Sequence, residues 1–548
     1  MQEPATGIPA QASGVRRFPL ALDLGMIAML LLLSVAIHAW LIRHTVVPAR
    51  DGIDFLHYAW RLQHDPWPNV VRTEGQHPGY PLAVLALSAP WRSAAAEDCN
   101  AMARYAQVVN ALASCLLVVP MFLLGRHLFD RQVGFWAALL FQCLPVSARA
   151  TSDALSEGLF LLIVAMALLA AVHSLKSRSL VGFGVCGLFG GFAYLVRPEG
   201  VLVVLASALV LAVGQFVPAF RCPWKRAGGC FAALGVSAVL VGLPYALTIG
   251  RFTVKPTSKE ILHRQVAWKN AADPSTKAVQ CASVLGVWWS SESDPHGNRL
   301  GRSFVAVASE ICRGFYYVGW LAALYGLFCY RKRLPATPGA WIVLALCLLH
   351  AAAIWRVASV KGYVSERHVL IIVMCGLLWT VLGIEDVASR LPAWVQKLPA
   401  SRLPRLLPWS SAAGAWSVAL PLGFAVSALP RTLQPLHANE AGHRAAGLWL
   451  AEHAAPEEVI CDPFKWAGYY AGRAFQEDWD PSRYVVAARY VVLEGSREQH
   501  SKEEITERAR ELAQQGEVVY DWRPGRRDAQ HKAGEVKVYR IAREGRSP

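Results

Sequence analysis

The chain has 548 residues, 54% of them hydrophobic and 17% charged, with a formal net charge of +15. Its apolar residues gather in blocks about 20 long, the length that crosses hydrocarbon as a helix, which excludes a soluble globular protein. Lys and Arg are spread over short connections and form no stripe interleaved with aromatics, so the charge argues for membrane orientation, with some attraction to anionic lipid, and against nucleic-acid binding.

The first block, 19 to 43, follows Arg16-Arg17. It is longer than a signal-peptide h-region and has no small-x-small cleavage site before Asp51, so it reads as a retained signal anchor. Further blocks run roughly through 103 to 125, 131 to 148, 154 to 175, 180 to 196, 199 to 219, 228 to 249, 312 to 330, 338 to 356, 368 to 385 and 410 to 429, giving about eleven crossings. With the N-terminus in the cytoplasm, alternate connections carry Arg126 and Arg131, Lys176 and Arg178, Arg221, Lys225 and Arg226, Arg331 to Arg333, then Arg390, Lys397, Arg402 and Arg405. That is the positive-inside pattern. An odd count then places everything after Leu429 outside.

Three outer segments are long enough to build something: 44 to 102, 250 to 311 and 430 to 548. In the first, Ile53, Leu56, Tyr58, Ala59 and Leu62 predict an amphipathic helix over Asp51–Leu62 lying on the membrane surface, and Pro81–Trp91 is apolar but too short to span. The second carries Trp288-Trp289, a pair suited to anchoring a loop in headgroups or to covering an acceptor or lipid tail. The stretch Leu391–Trp409 reads as a cytoplasmic linker. After Leu429 the composition becomes that of a soluble domain, with helices predicted at Glu440–His453, Trp466–Gly472 and Ser501–Gln514 and strands near Glu458–Cys461, Tyr484–Leu493, Val518–Trp522 and Val536–Ile541. The expected architecture is therefore an α-helical polytopic membrane protein of about eleven transmembrane helices over residues 1–429, with a small extracytoplasmic α/β domain over 430–548. No internal repeat and no glycine-rich phosphate loop is present.

The twelve Cys are scattered, with no CxxC pair and no metal-ligand spacing, and read as small buried hydrophobes. Cys99, Cys281 and Cys461 would face an oxidising compartment, which leaves room for one disulfide among them.

Four constellations could carry chemistry. Asp51 and Asp54 lie three apart, near one helix face, followed by Tyr58 and by the turn His77-Pro78-Gly79-Tyr80-Pro81; a carboxylate with a turn-held His suits general-base work, and plain solvated charge is the bland alternative. Arg149, Asp153 and Glu157 fall at i, i+4 and i+8, either an ion-pair ladder on one helix face or charges turned toward a polar cavity. Arg197-Pro198-Glu199-Gly200 is either a tight hairpin or part of a site. Arg356, Lys361, Arg367 and His368 break the positive-inside bias at two outer helix ends, which either a phosphate-binding purpose or a plain basic loop explains.

Together, the first-loop acid, the His-Pro-Gly-Tyr-Pro turn, Asp153 with Ser156-Glu157, Leu195-Val196-Arg197-Pro198-Glu199-Gly200 and Ser365-Glu366-Arg367-His368 resemble the GT-C membrane glycosyltransferases over about residues 20 to 385. Within that superfamily the chain is most similar to the dolichyl-phosphate-mannose protein mannosyltransferases and bacterial relatives such as the lipid A aminoarabinose transferase. The resemblance implies a polyprenyl-phosphate sugar donor, inverting transfer to a hydroxyl of a protein, lipid or glycan acceptor, and action on the outer face of a bacterial inner membrane. It assigns Asp51 as the catalytic acid-base, with Asp54 and His77 beside it. Arg367, helped by Lys361 or Arg197, would neutralise the leaving phosphate, and Tyr58, Tyr80, Arg149, Asp153, Glu157, Glu199 and His368 would bind substrate. The chain departs from the family's pattern at Gly52, where many members have Glu, at Asp54, where an aromatic is common, and in a turn one Pro short. Those departures leave divalent-metal use and the role of Asp54 open. A transporter or flippase of lipid-linked sugars is the rival reading; it predicts acids near the bilayer midplane and two related halves. A catalytically inactive receptor is a third.

Overall fold

The computed structural model describes residues 20–91, 99–217, 221, 223–255, 299–361, 363–396, 413–475, 487–495 and 504–542. The Trp288-Trp289 pair, Cys281 and most of the Leu391–Trp409 linker lie outside them. The helices are, in order, α1 Leu20–Arg43, α2 Arg50–His64, α3 Trp67–Thr73, α4 Gly79–Ser88, α5 Cys99–Leu128, α6 Arg131–Cys143, α7 Pro145–Ser152, α8 Glu157–Ser177, α9 Leu180–Val196, α10 Val201–Val213, α11 Trp224–Ile249, α12 Arg299–Gly314, α13 Val318–Tyr330, α14 Pro338–Lys361, α15 Leu370–Gln396, α16 Ala413–Thr432, α17 Ala441–His453, α18 Trp466–Tyr470, α19 Glu504–Gln514 and α20 Arg526–Gln530.

Among the described residues six helices are long and apolar enough to cross a membrane: α1, α5, α8, α11, α14 and α15. The other five expected blocks map onto α6 with α7, bent by 66°, onto the shorter apolar helices α9, α10 and α13, and onto α16. Large apolar side chains stand exposed along these helices, among them Leu32 at 73% and Leu348 at 70%. Such surface is stable only against lipid. With lipid outside, helices associate by close packing at small residues rather than by hydrophobic burial. At the α13–α15 crossing, a Cβ on Gly326 would sit 2.0 Å from the Trp379 carbonyl oxygen, so only glycine lets these backbones approach.

Charge sorts the two ends of the bundle. At one end Asp23, buried in α1, pairs with Arg126 at 2.6 Å and with Arg131 at 2.7 Å, and Arg226 Nε donates to the Arg178 carbonyl. At the opposite end α2 carries Asp51 and Asp54, α7 carries Arg149 and ends before Asp153, and the termini of α8 and α9 and the turn before α15 carry Glu157, Arg197, Glu199 and Arg367.

Three local expectations are corrected. The block 312–330 is not one helix: α12 stops at Gly314, Tyr316 and Tyr317 adopt positive φ of 53° and 61°, and α13 starts afresh. Arg149, Asp153 and Glu157 do not share one helix face, because α7 ends at Asp153, whose backbone is extended (ψ 170°) and whose carboxylate accepts from the Ala154 N–H at 2.7 Å. Finally, α2 is not a surface helix with one wet side. Gly52, Ile53 and Phe55 through Ala59 are all buried, since the tail covers the face that the bundle does not.

That tail carries a four-stranded sheet, β1 Ile460–Cys461, β2 Tyr490–Glu494, β3 Gly516–Trp522 and β4 Val536–Ile541, in the order β1-β2-β4-β3. The β1–β2 pair is parallel and the other two antiparallel, with a register shift between Val518 and Tyr520. One face packs on α17 through Ala446, Leu450, Val492 and Val538, the other on α19 through Ala509 and Ala513. Cys461 is a buried free thiol on β1, so it joins no disulfide.

Candidate active site

The site grows from the first residues after α1. Thr45 forms a parallel bridge with Leu436, and the Trp466 indole donates to the Pro48 carbonyl at 2.8 Å, so the segment entering α2 is gripped by the tail. Asp153 completes the grip: its Oδ1 accepts from the Ala49 N–H at 3.0 Å and its Oδ2 lies 2.5 Å from His437 Nε2. Burial works to raise the Asp153 carboxyl, but His437 and the backbone donors outweigh it and hold the group ionised. Asp153 therefore fixes where α2 begins, and with it Asp51.

Asp51 Oδ2 accepts from Arg367 Nη2. Its side chain keeps 43% of its surface exposed toward a cavity of about 380 Å³. Arg149, Asp153, Glu366, Arg367, His437 and Trp466 are among that cavity's walls. Burial alone would push the Asp51 carboxyl up; the charge of Arg367 and its hydrogen bond, with Lys465 and Arg50, bring it down to about 2. Behind Arg367 the charges alternate. Arg367 Nη1 is 3.9 Å from Glu157 Oε1, which accepts from Arg197 Nη1 at 2.8 Å, and Arg197 Nε is 3.6 Å from Glu199. Arg197 also stands over the Phe160 ring at 5.6 Å. Glu157 and Arg197 are buried or nearly so. Buried pairs of this kind bring little net stability, but they hold guanidinium groups in fixed orientation.

Asp54, one turn along α2, turns to the tail and meets Lys465 Nζ at 2.6 Å. Burial raises its carboxyl above the ordinary range, only partly opposed by Lys465. The two acids of α2 are thus in different surroundings, one held by the bundle and one by the tail.

His77 lies in another pocket. Its Nδ1 is 2.8 Å from the Tyr194 carbonyl and must carry the proton, which leaves Nε2 to accept from the Thr253 hydroxyl at 2.8 Å. Burial and the nearby Lys255 charge lower it to about 4, so the ring is neutral. The turn it heads is seated against the end of α9: a Cβ on Gly79 would come within 2.8 Å of the Leu195 carbonyl. Tyr80 donates to the Ala106 carbonyl at 2.7 Å. The buried Tyr58 hydroxyl has no hydrogen-bond partner among the described residues. Arg149 donates to the carbonyls of Gln434 at 2.5 Å and Pro435 at 3.3 Å, tying down the segment that presents His437. His368 Nδ1 accepts from the Ser365 N–H at 3.1 Å, and its carbonyl accepts from His350 Nε2 at 2.7 Å, which shapes the turn carrying Arg367. The Lys361 side chain lies outside the described residues.

Sequence reading missed His437, Lys465 and Trp466, which arrive from the tail, and Lys255, whose ammonium burial keeps below its ordinary range against the pull of Glu199. The single available signal was the run Asp462-Pro463-Phe464-Lys465-Trp466, a turn-forming sequence with a charge and an aromatic at its tip.

A family model described as dolichyl-phosphate-mannose-protein mannosyltransferase matches residues 100–241. No curated protein matches the sequence. Among solved structures the chain is similar to the Archaeoglobus fulgidus oligosaccharyltransferase in its apo form, with a TM-score of 0.55 and 12% identity over 87% of this chain and 70% of that one. The oligosaccharyltransferase AglB of the same organism, in complex with an inhibitory peptide and a dolichol-phosphate, gives 0.54 and 13% over 86% and 69%. ArnT from Cupriavidus metallidurans bound to undecaprenyl phosphate gives 0.50 and 13% over 94% and 98%. At such identities the likeness establishes the fold alone, the one this chain shares with the archaeal oligosaccharyltransferases and ArnT.

Proposed function

We propose that the chain is a glycosyltransferase that moves a sugar from a polyprenyl-phosphate donor to an acceptor hydroxyl, with inversion, on the extracytoplasmic face of the membrane. The observation that carries this reading is the Asp51–Arg367 pair at the wall of the 380 Å³ cavity: a carboxylate and a guanidinium in contact supply a base and an anion-stabilising fork at one point. In the resting pair each neutralises the other. A donor phosphate entering the cavity competes for Arg367, and as the guanidinium turns to it, the Asp51 carboxylate is released to accept the hydroxyl proton. The acceptor oxygen then bonds to the anomeric carbon, the bond from that carbon to the phosphate oxygen breaks, and polyprenyl phosphate leaves as an anion facing Arg367. Glu157, Arg197 and Glu199 orient Arg367 from behind; Asp153 and Arg149 position α2 and the His437 segment; His77 and Tyr80 set the α4 turn; Asp54 with Lys465 fastens the tail.

Two further features support the reading. An apolar cavity of about 1080 Å³ among α10, α13, α14 and α15, lined in part by Leu209, Leu324, Leu348, Ile372 and Trp379 and reaching Arg331 after α13, has the size and lining for a prenyl chain. AglB and ArnT have been solved with dolichol-phosphate and undecaprenyl phosphate respectively. The charged groups gather at one end of the bundle rather than at mid-helix, which disfavours a transporter.

Comparing a deletion strain with its parent by mass spectrometry of lipid-linked sugars and surface glycans tests the activity: the donor should accumulate and one glycan should lose a sugar. Unchanged profiles would remove the proposal. For orientation, a reporter active only in the cytoplasm and joined near Ala438 should stay dark; a signal would place the cavity on the cytoplasmic side.

A further inference from the structure

We propose that Glu440, His443 and Glu494 form a binding site for one divalent transition-metal ion, with Zn²⁺ as the best match. Glu440 closes the 3₁₀ turn Ala438–Glu440 that leads into α17, His443 follows three residues on, and Glu494 ends β2. Their donor atoms lie within 4.8 Å of one another, the single group of three such side chains among the described residues to do so. All are interior: 4%, 1% and 3% of the side-chain surfaces of Glu440, His443 and Glu494 are exposed.

Neither ring nitrogen of His443 has a hydrogen-bond partner among the described residues. Buried imidazoles are ordinarily hydrogen-bonded, so this one calls for an explanation. Its Nε2 lies 3.7 Å from Glu440 Oε2 and 3.6 Å from Glu494 Oε2. Those separations are too long for hydrogen bonds. They fit the roughly 3.4 Å edge between ligand atoms each about 2.1 Å from one tetrahedral ion. One imidazole and two carboxylates is a donor set that Zn²⁺ accepts and that softer, thiolate-seeking ions do not.

The position gives the ion a purpose. The His443 ring packs on Phe464 at 4.7 Å and on Trp466 at 5.5 Å. Between them stands Lys465, which holds Asp54, and Trp466 itself bonds the Pro48 carbonyl ahead of Asp51. An ion joining α17 to β2 would set the height at which this segment covers α2. The proposal rests on these tail residues and holds whatever reaction the bundle performs.

The test uses the purified full-length protein in detergent, stripped with a chelator, equilibrated with Zn²⁺ and washed. Elemental analysis should find one equivalent more zinc per chain in wild type than in His443→Gln or Glu494→Gln, and Zn²⁺ should raise the thermal midpoint of wild type alone. Equal zinc in wild type and a folded His443→Gln, or a wild type that retains none, would overturn the site. Should the variants not survive purification, X-ray absorption of zinc in wild type decides: an imidazole with carboxylate oxygens upholds the site, and a shell without imidazole overturns it.

Discussion

Asp51→Asn is expected to lower turnover by about 10²–10⁴-fold, the range that a positioned general base supplies, while the protein inserts and purifies as wild type does. Asparagine keeps the size and can still bond α2's surroundings, so the loss isolates the proton-accepting oxygen. The resting pair adds a pH signature. Burial works to raise the Asp51 carboxyl, but Arg367, Lys465 and Arg50 bring it down to about 2, so in the free enzyme the base is ionised throughout about pH 5 to 8 and gives kcat/KM no acid limb there. Steady-state kinetics with purified protein and a polyprenyl-phosphate sugar check both points, and near-normal turnover in Asp51→Asn would exclude Asp51 as the base.

Arg367→Ala should cost about 10²–10³-fold in kcat, as removal of one group stabilising the developing anion does elsewhere, and should weaken donor binding as well. The Arg367 guanidinium lies between Asp51 and Glu157, so its removal takes from Asp51 its hydrogen-bonded cation and leaves that carboxylate facing the phosphate, while Glu157 keeps Arg197. Arg367→Lys restores the charge without the planar fork and should recover part of the activity. The control is Arg390→Ala: that side chain pairs with Asp386 at 2.9 Å across an exposed helical turn, a solvent-screened contact of small worth, and its loss should leave donor affinity unchanged. Equal donor affinity in wild type and Arg367→Ala would take Arg367 out of the site and strengthen the transporter reading.

What the sequence made legible were the helix ends. Positive-inside alternation put Asp51, Asp153, Glu157, Arg197, Glu199 and Arg367 at one end of the bundle, and the structure joins Asp51, Arg367, Glu157, Arg197 and Glu199 into one alternating series. Hydropathy could not see where apolar blocks break. The bend after Cys143 and the positive φ at Tyr316 and Tyr317 are backbone events inside apolar runs, where lipid-facing composition hides them. Nor could periodicity show that α2 is covered on both sides, because its second cover comes from Lys465, Trp466 and Ala474, about 400 residues along the chain. Asp23 was hidden for a related reason: an acid in a first span looks like an exception until Arg126 and Arg131 are seen to reach it. His77 shows the limit of motif reading, for a turn-held histidine suggests a base, and only the structure shows both its nitrogens occupied by Tyr194 and Thr253.

The central claim is that the sugar–phosphate bond of a lipid-linked donor is broken at Asp51 and Arg367. The most direct measurement reconstitutes purified protein in vesicles with a polyprenyl-phosphate sugar and a membrane extract as acceptor, then follows free polyprenyl phosphate by mass spectrometry. Wild type should release polyprenyl phosphate in step with glycosylated acceptor, and Asp51→Asn should release neither. Intact donor that crosses the bilayer without cleavage, at equal rates in wild type and Asp51→Asn, would contradict the account.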